Sequence, residues 1–274
     1  MGYYSAVQLD KEPFSTSPDP RFFYRSTEHL TALNRLEISV RLKRGLSVIL
    51  GDVGTGKTTL SRALFQAFTM EEDYEFHMIL NPSFDSEENF LIHLTKLFGA
   101  NTFNPGESDH RNVIEKYLYH KNIEEQKTVV LVIDEAQKLA PAYLETLRTF
   151  LNYETNEYKF LQLVLLGQLE LWSQIREMDN FRDRINFKFL LRPLDEFETG
   201  EMVRYRLKAA GCADSRQMFT PDAIHLIYKY SRGRPRRINM VCHMAVERLV
   251  MEDRRIVTAG LVGRIIDEDK KWEW

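Results

Sequence analysis

Apolar residues are grouped in two different rhythms along the chain. In the first two thirds, short and mainly apolar runs recur at Leu46–Leu50, Phe76–Leu80, Val129–Ile133, Leu161–Leu166 and Asn186–Leu191. The first is bounded by Gly45 and Gly51, the second ends at Asn81-Pro82 and the fourth at Gly167. Runs of this length, bounded by turn residues, predict buried strands of a parallel sheet. Helical spacing lies between them. Leu30, Leu33, Leu36, Ile38 and Val40 mark one helix, and Phe90, Leu91, Leu94, Leu97 and Phe98 fall on a single helix face. Tyr143–Leu151 follows Pro141, a favoured first-turn residue. Strands alternating with helices imply an α/β sandwich with a five-stranded parallel sheet.

Beyond Pro193 the strand rhythm stops. Gly200–Ala210, Pro221–Ser231, Arg237–Met251 and Ala259–Asp267 all read as helices, with N-cap signals at Thr220 and Thr258. The expected division is residues 1–192 for the sheet domain and residues 193–274 for a small all-helical domain. The first of these includes an irregular, proline-punctuated lead to Tyr24, expected to pack across the sheet domain.

Composition narrows the class. The chain has 274 residues, of which 43% are hydrophobic and 28% charged, enough for a sizeable core under a polar surface. Its formal net charge of -3 gives no global positive field for nucleic acid, although local basic patches remain open. Cys212 and Cys242 lie far apart without metal-ligand spacing, as expected of a chain in a reducing compartment. No run approaches the roughly 20 apolar residues of a spanning helix, and the start lacks the apolar stretch of a signal peptide. A soluble intracellular chain is the expectation.

Candidate chemistry sits at the ends of the predicted strands. Gly51-Asp52-Val53-Gly54-Thr55-Gly56-Lys57-Thr58 fits G-x-x-x-x-G-K-[ST] at every fixed position, directly after one strand and before a helix. Its glycines let backbone N–H groups wrap around phosphates, and the helix start adds a positive dipole end. Lys57 is expected on the β- and γ-phosphates, Thr58 on Mg²⁺ and Thr59 on the α-phosphate side. Val129–Ile133 then delivers Asp134, expected to hold Mg²⁺ through water, and Glu135, a general base for the attacking water. An acidic pair can also simply cap the next helix.

Gln168, ending the fourth strand, could position the water or sense the γ-phosphate; a surface glutamine is the alternative. Asn81 could hydrogen-bond the Glu135 carboxylate and hold it away from water, or merely form an Asn-Pro turn. Arg182 and Arg184, with Arg192 as a weaker candidate, could project into a neighbouring subunit's nucleotide, or be solvated side chains. Arg232, Arg234, Arg236 and Arg237 crowd around Gly233 and Pro235. One could fold onto the γ-phosphate; a solvated turn or a nucleic-acid phosphate contact are the alternatives. The histidines show no metal-binding spacing.

Taken together these motifs resemble bacterial AAA+ ATPases of the ExeA/GspA general-secretion type. The resemblance runs from about Phe14 to Ile266. It rests on Pro18-Asp19-Pro20-Arg21-Phe22-Phe23-Tyr24, Gly51–Thr59, Asn81-Pro82, Asp134-Glu135-Ala136-Gln137, Leu166-Gly167-Gln168-Leu169-Glu170-Leu171, Leu191-Arg192-Pro193-Leu194 and Gly233-Arg234-Pro235-Arg236-Arg237-Ile238-Asn239. It implies a P-loop core with a helical lid and ATP and Mg²⁺ as cofactors, with ATP held between the subunits of a homo-oligomeric, hexameric ring. It makes Lys57 and Thr58 Walker A, Asp134 and Glu135 Walker B and Gln168 sensor 1. Arg184 matches the arginine finger, with Arg182 second, and Arg236 matches sensor 2 in the lid.

The resemblance further implies a protein partner in a secretion, pilus or envelope-assembly system, with the chain in the cytoplasm at the inner face of the membrane through that partner. Full-length secretion members continue into a membrane helix and a peptidoglycan-binding domain. The chain, ending at Trp274, is expected to be either a short form without them or the ATPase part of a longer protein. A DNA-binding AAA+ regulator of the transposition target-selection type, and a non-hydrolysing nucleotide switch, share the same core and stand as alternatives.

Overall fold

The computed structural model describes residues 3–15, 20–100 and 109–271. Pro18 and Asp19 of the Pro-Asp-Pro box lie outside the described residues. Sixteen helices and strands follow in chain order: α1 (Thr27–Arg41), β1 (Leu46–Gly51), α2 (Lys57–Phe68), β2 (Tyr74–Ile79), α3 (Glu87–Leu97), α4 (His110–Tyr119), β3 (Thr128–Ile133), α5 (Pro141–Phe150), β4 (Leu161–Gly167), α6 (Leu169–Arg176), α7 (Asp179–Arg182), β5 (Ile185–Leu191), α8 (Glu196–Ala209), α9 (Pro221–Ser231), α10 (Pro235–Met251) and α11 (Ala259–Lys270).

Among the described residues the five strands form one sheet in the order β2-β3-β4-β1-β5, and every pairing is parallel. Burial explains the sequence rhythm. Each residue of β1, β3 and β4 is buried, so these three strands read as continuous apolar runs. The outer strands differ. β5 alternates between half-buried and exposed residues until Leu191, and β2 is half-buried until Ile79. One polar side chain inside the sheet is fully used: Gln162 of β4 accepts the Gly45 N–H at 2.8 Å and donates to the Lys159 carbonyl at 2.8 Å. Those bonds pin the turn entering β1, where Gly45 has φ +89°.

The chain divides into two compact units. One comprises His29–Asp52 and Leu60–Leu191; the other comprises Met1–Glu28, Val53–Thr59 and Arg192–Trp274. The first has a core built from β1, β3 and β4 with Phe90, Leu94, Ile114, Leu144 and Leu147 of the flanking helices. The second has its own core, in which Val203, Leu207, Ile227, Ile238, Val246 and Ile265 of α8 to α11 meet. Its helices are capped as the sequence suggests, by Thr220 at α9 and Thr258 at α11, while Asp195 and Glu198 form a capping box at α8.

The lead behaves differently from its expectation. Leu9, Phe14 and Phe22 belong to the core of the helical unit, and the reason is Arg206. This α8 residue, only 7% exposed, donates to the carbonyls of Pro13, Ser15 and Phe22 at 2.7, 3.0 and 3.2 Å. Its guanidinium stands 5.3 Å from the Phe22 ring. An irregular segment has backbone acceptors to spare, and a buried guanidinium needs them. No helix among the described residues is long and apolar enough to cross a membrane.

Candidate functional site

Three strand ends line up on the carboxyl edge of the sheet. The register pairs Leu50 of β1 with Gly167 of β4, and Leu165 of β4 with Ile133 of β3. By that register Gly51 at the end of β1 is level with Gln168 and Asp134 with Leu166, so the three strand ends share one edge with β4 in the middle. The carboxyl edge of a parallel sheet is where such folds bind ligands, because the loops diverge there and leave a crevice.

On β3 the acidic pair is tightly organised. Asp134 is buried; its N–H donates to the Ile79 carbonyl at 2.8 Å, and its Oδ1 accepts the Glu135 N–H at 2.9 Å. Glu135 stands in the left-handed region, φ 54°. That backbone costs a non-glycine residue about 1–2 kcal/mol and is held by the surrounding bonds. The Glu135 Oε2 accepts from Gln137 Nε2 at 2.8 Å. Gln137 in turn accepts the Gln168 N–H through its own side-chain oxygen at 3.1 Å. Gln137 is a site residue that sequence reasoning quoted within Asp134-Glu135-Ala136-Gln137 without assigning it a role.

Asn81 does not hold Glu135. Its Oδ1 accepts from Lys138 Nζ at 2.8 Å, because β2 ends one residue short of the expected strand and leaves Asn81 exposed beside the loop after β3. Gln168 is half-buried and is the N-cap residue of α6.

Val53–Thr59 of the glycine-rich loop belong to the helical unit's compact group, as does the start of α10. Gly54 and Gly56 both have positive φ, 77° and 102°. A methyl at Gly54 would meet the Arg236 Cβ at 3.0 Å, and the Arg236 N–H donates to the Gly54 carbonyl at 3.3 Å. Thr55 and Lys57 are buried, and α2 begins at Lys57, so the loop ends on a helix N-terminus. Thr58 and Thr59 follow on its first turn. A cleft of about 490 Å³ opens there, lined by Val53, Gly54, Arg234, Arg236, Arg237, Met240 and Asp269. Three guanidinium groups against one carboxylate make it a cleft for an anion.

This chemistry fits a nucleoside triphosphate. Its volume is within the ordinary range for a small-molecule site, and its glycine-lined loop admits a close backbone approach. Among the described residues no three His, Cys, Asp or Glu side chains converge. Mg²⁺ takes one or two carboxylates and fills its octahedron with phosphate oxygens and water; the Thr58 hydroxyl and the Asp134 carboxylate are oxygen donors of the kind it accepts.

Arg182 and Arg184, two of the arginines expected to act between subunits, lie elsewhere. Arg184 precedes β5, whose first residue pairs with Leu46 at the start of β1. It sits near Lys159, close enough for their charges to interact. At about 3.3 Å per residue the strands separate this edge from the carboxyl edge by roughly 20 Å. Arg182 ends α7, where it pairs with Asp179 at 2.8 Å. Arg192, with a side chain 74% exposed, stands 4.0 Å from the Glu28 carboxylate.

Comparison with known proteins follows the same lines. Residues 40–175 match a family model described as an AAA domain. The chain is 37% identical over 245 residues to general secretion pathway protein A of Aeromonas hydrophila, covering 87% of this chain and 43% of that protein. It thus spans less than half the length of that curated relative. Among solved structures, the ORC2 protein of Aeropyrum pernix in ADPNP–ADP complexes superposes with a TM-score of 0.68 at 19% identity, over 94% of this chain and 71% of that one. The Drosophila ORC bound to DNA gives 0.67 at 20% identity, over 94% and 64%. At such identities these two establish the shared fold: a P-loop AAA core with a five-stranded parallel sheet and a helical C-terminal part.

Proposed function

We propose a function from one premise: the chain belongs to the AAA ATPases and is related among them to general secretion pathway protein A. It binds ATP with Mg²⁺ at Gly51–Thr58 and hydrolyses it to ADP and phosphate. The observation that carries this reading is the register of β1, β4 and β3, which sets Gly51, Gln168 and the Asp134-Glu135 pair along one sheet edge.

In this reading Gly51, Asp52, Val53, Gly54, Thr55 and Gly56 wrap backbone N–H groups around the phosphates, and Lys57 spans the β- and γ-phosphates. Thr59 lies on the α-phosphate side. Thr58 and Asp134 hold Mg²⁺, the aspartate through water, and the ion when bound neutralises phosphate charge. Glu135 accepts the proton of the water that attacks the γ-phosphorus as the bond to the bridging oxygen breaks. Gln168 orients that water. Arg236, already in contact with Gly54, reaches the γ-phosphate from the start of α10. Arg234 and Arg237 line the same cleft, a use of the basic turn that competes with a nucleic-acid surface.

Arg184, with Arg182 second, serves the ATP of a neighbouring copy. The roughly 20 Å between the two sheet edges keeps it from its own strand-end carboxylates, so an electrostatic role at the γ-phosphate requires a second subunit. A homo-oligomeric ring, hexameric in keeping with its resemblance to secretion ATPases, supplies one. The kinship with general secretion pathway protein A supports, as the driven process, the assembly or remodelling of a secretion, pilus or envelope complex, with the chain in the cytoplasm at the inner membrane face through that partner. The test of the core reading is Glu135→Gln. It should bind ATP with unchanged affinity yet hydrolyse it slowly, and normal turnover would remove Glu135 as the base.

A further inference from the structure

We propose that Gln137 is the positioning residue for hydrolysis: it braces the Glu135 carboxylate through one oxygen and ties it to the end of β4. The proposal rests on the reading of Glu135 as general base. The Gln137 amide is used at both ends. Its Nε2 donates to Glu135 Oε2 at 2.8 Å, and its Oε1 accepts the N–H of Gln168 at 3.1 Å. Its backbone carbonyl is also engaged, accepting from Gln174 Nε2 at 3.2 Å. One side chain therefore links the acidic end of β3 to the first residue after β4.

The residue type follows from that geometry. A carboxylate needs a donor and a peptide N–H needs an acceptor, and a primary amide offers both from one planar group. Glutamate at this position would keep the acceptor and lose the donor, setting two carboxylates face to face. The brace also depends on Gly167, since a methyl there would come within 3.2 Å of Gln137 Oε1 and 2.7 Å of Leu171 Cδ2.

The consequence is mechanistic. Glu135 is otherwise a side chain on a short loop in a left-handed backbone conformation, with rotamers that can swing away from the reacting water. Holding Oε2 fixes the plane of the carboxylate and leaves Oε1 to take the proton. Because the other end of the brace is the Gln168 N–H, any shift of β4's end that accompanies contact between Gln168 and the nucleotide moves the base as well.

A double-mutant cycle tests this, with ATP turnover and fluorescent-nucleotide binding measured for Gln137→Ala, Gln137→Glu, Glu135→Gln and the Glu135→Gln, Gln137→Ala pair. Gln137→Ala should lower kcat about tenfold, a part of the roughly 10²–10⁴-fold that a positioned base contributes, with KM and nucleotide affinity unchanged. In the Glu135→Gln background the same substitution should cause no further loss, because its effect passes through Glu135. Gln137→Glu, nearly isosteric and still able to accept the Gln168 N–H, should lose kcat in the same way and carries the test if the alanine variant does not fold. Wild-type kcat in Gln137→Ala and Gln137→Glu, a rise in kcat, or losses that multiply in the double variant would each overturn the proposal while a slow Glu135→Gln leaves the base assignment standing. Wild-type turnover in Glu135→Gln would overturn the base assignment and the brace with it.

Discussion

At the carboxyl edge of the sheet, Asp134 is buried and bonded, Glu135 is braced by Gln137 and Gln168 is seated by a backbone bond. At the opposite edge, Arg182 has a side chain 42% exposed and is paired within its own short helix, while Arg184 sits before β5 beside Lys159. The two edges belong to one sheet and one core, yet one holds its polar groups in internal hydrogen bonds and the other carries an exposed Arg182 and a half-buried Arg184. The difference shows which parts of a reaction a single chain can complete. Water activation needs groups held to fractions of an ångström, and a rigid strand end supplies that. Charge stabilisation by an arginine can instead be delivered by docking a second copy, which makes hydrolysis conditional on assembly.

The largest expected effect comes from disabling the carboxyl edge at its phosphate loop. Lys57→Ala should abolish ATP binding in a calorimetric titration, and an unchanged affinity would remove the loop from the account. Glu135→Gln should follow, with nucleotide affinity kept and single-turnover hydrolysis slowed about 10²–10⁴-fold. At the other edge, Arg184→Ala should bind ATP normally and keep the slow rate of the dilute protein. What it should lose is the rise in specific activity with protein concentration; a retained rise would place the acting arginine elsewhere. Arg182→Ala should have the smallest effect, a change in assembly-stimulated rate within about fivefold, because an exposed pair such as Arg182–Asp179 carries at most ~1 kcal/mol. A larger loss would exchange the roles of the two arginines.

Much of this was legible in the chain because burial on both faces writes itself as continuous apolar runs. β1, β3 and β4 were found to within a residue for that reason. β2 was harder: as an edge strand it opens on Tyr74-Glu75, and Glu75 pairs with Lys121 at 2.7 Å, so its first turn of the pattern is polar. α4 was passed over although Val113, Ile114, Tyr117 and Leu118 are buried with helical spacing; it adjoins no strand end or motif that would have drawn attention to it. α6 buries only Leu171 and Ile175, too few positions to show a period.

The site divides similarly. Candidates within a contiguous motif, Gly51 to Thr58 and then Asp134-Glu135, stand out in the sequence itself. Partnerships between side chains distant in sequence do not. Its place at a strand end leaves Asn81 open to a bond with Glu135 or to a plain Asn-Pro turn; the structure gives Asn81 to Lys138 and Glu135 to Gln137. The destination of the lead was equally hidden, since nothing in Phe14 or Phe22 announces that Arg206 will collect the carbonyls of Pro13, Ser15 and Phe22.

The most direct test of a site completed between copies is a mixing experiment with Lys57→Ala and Arg184→Ala proteins. Each alone should show little ATP turnover at concentrations where the wild type assembles: the first cannot bind nucleotide, the second has no finger to lend. Mixed, the Arg184→Ala sites should be served by fingers from Lys57→Ala neighbours, and turnover should rise above the sum of the separate samples with a maximum at intermediate ratios. Turnover that never exceeds that sum, at any ratio, would contradict an arginine acting across the interface.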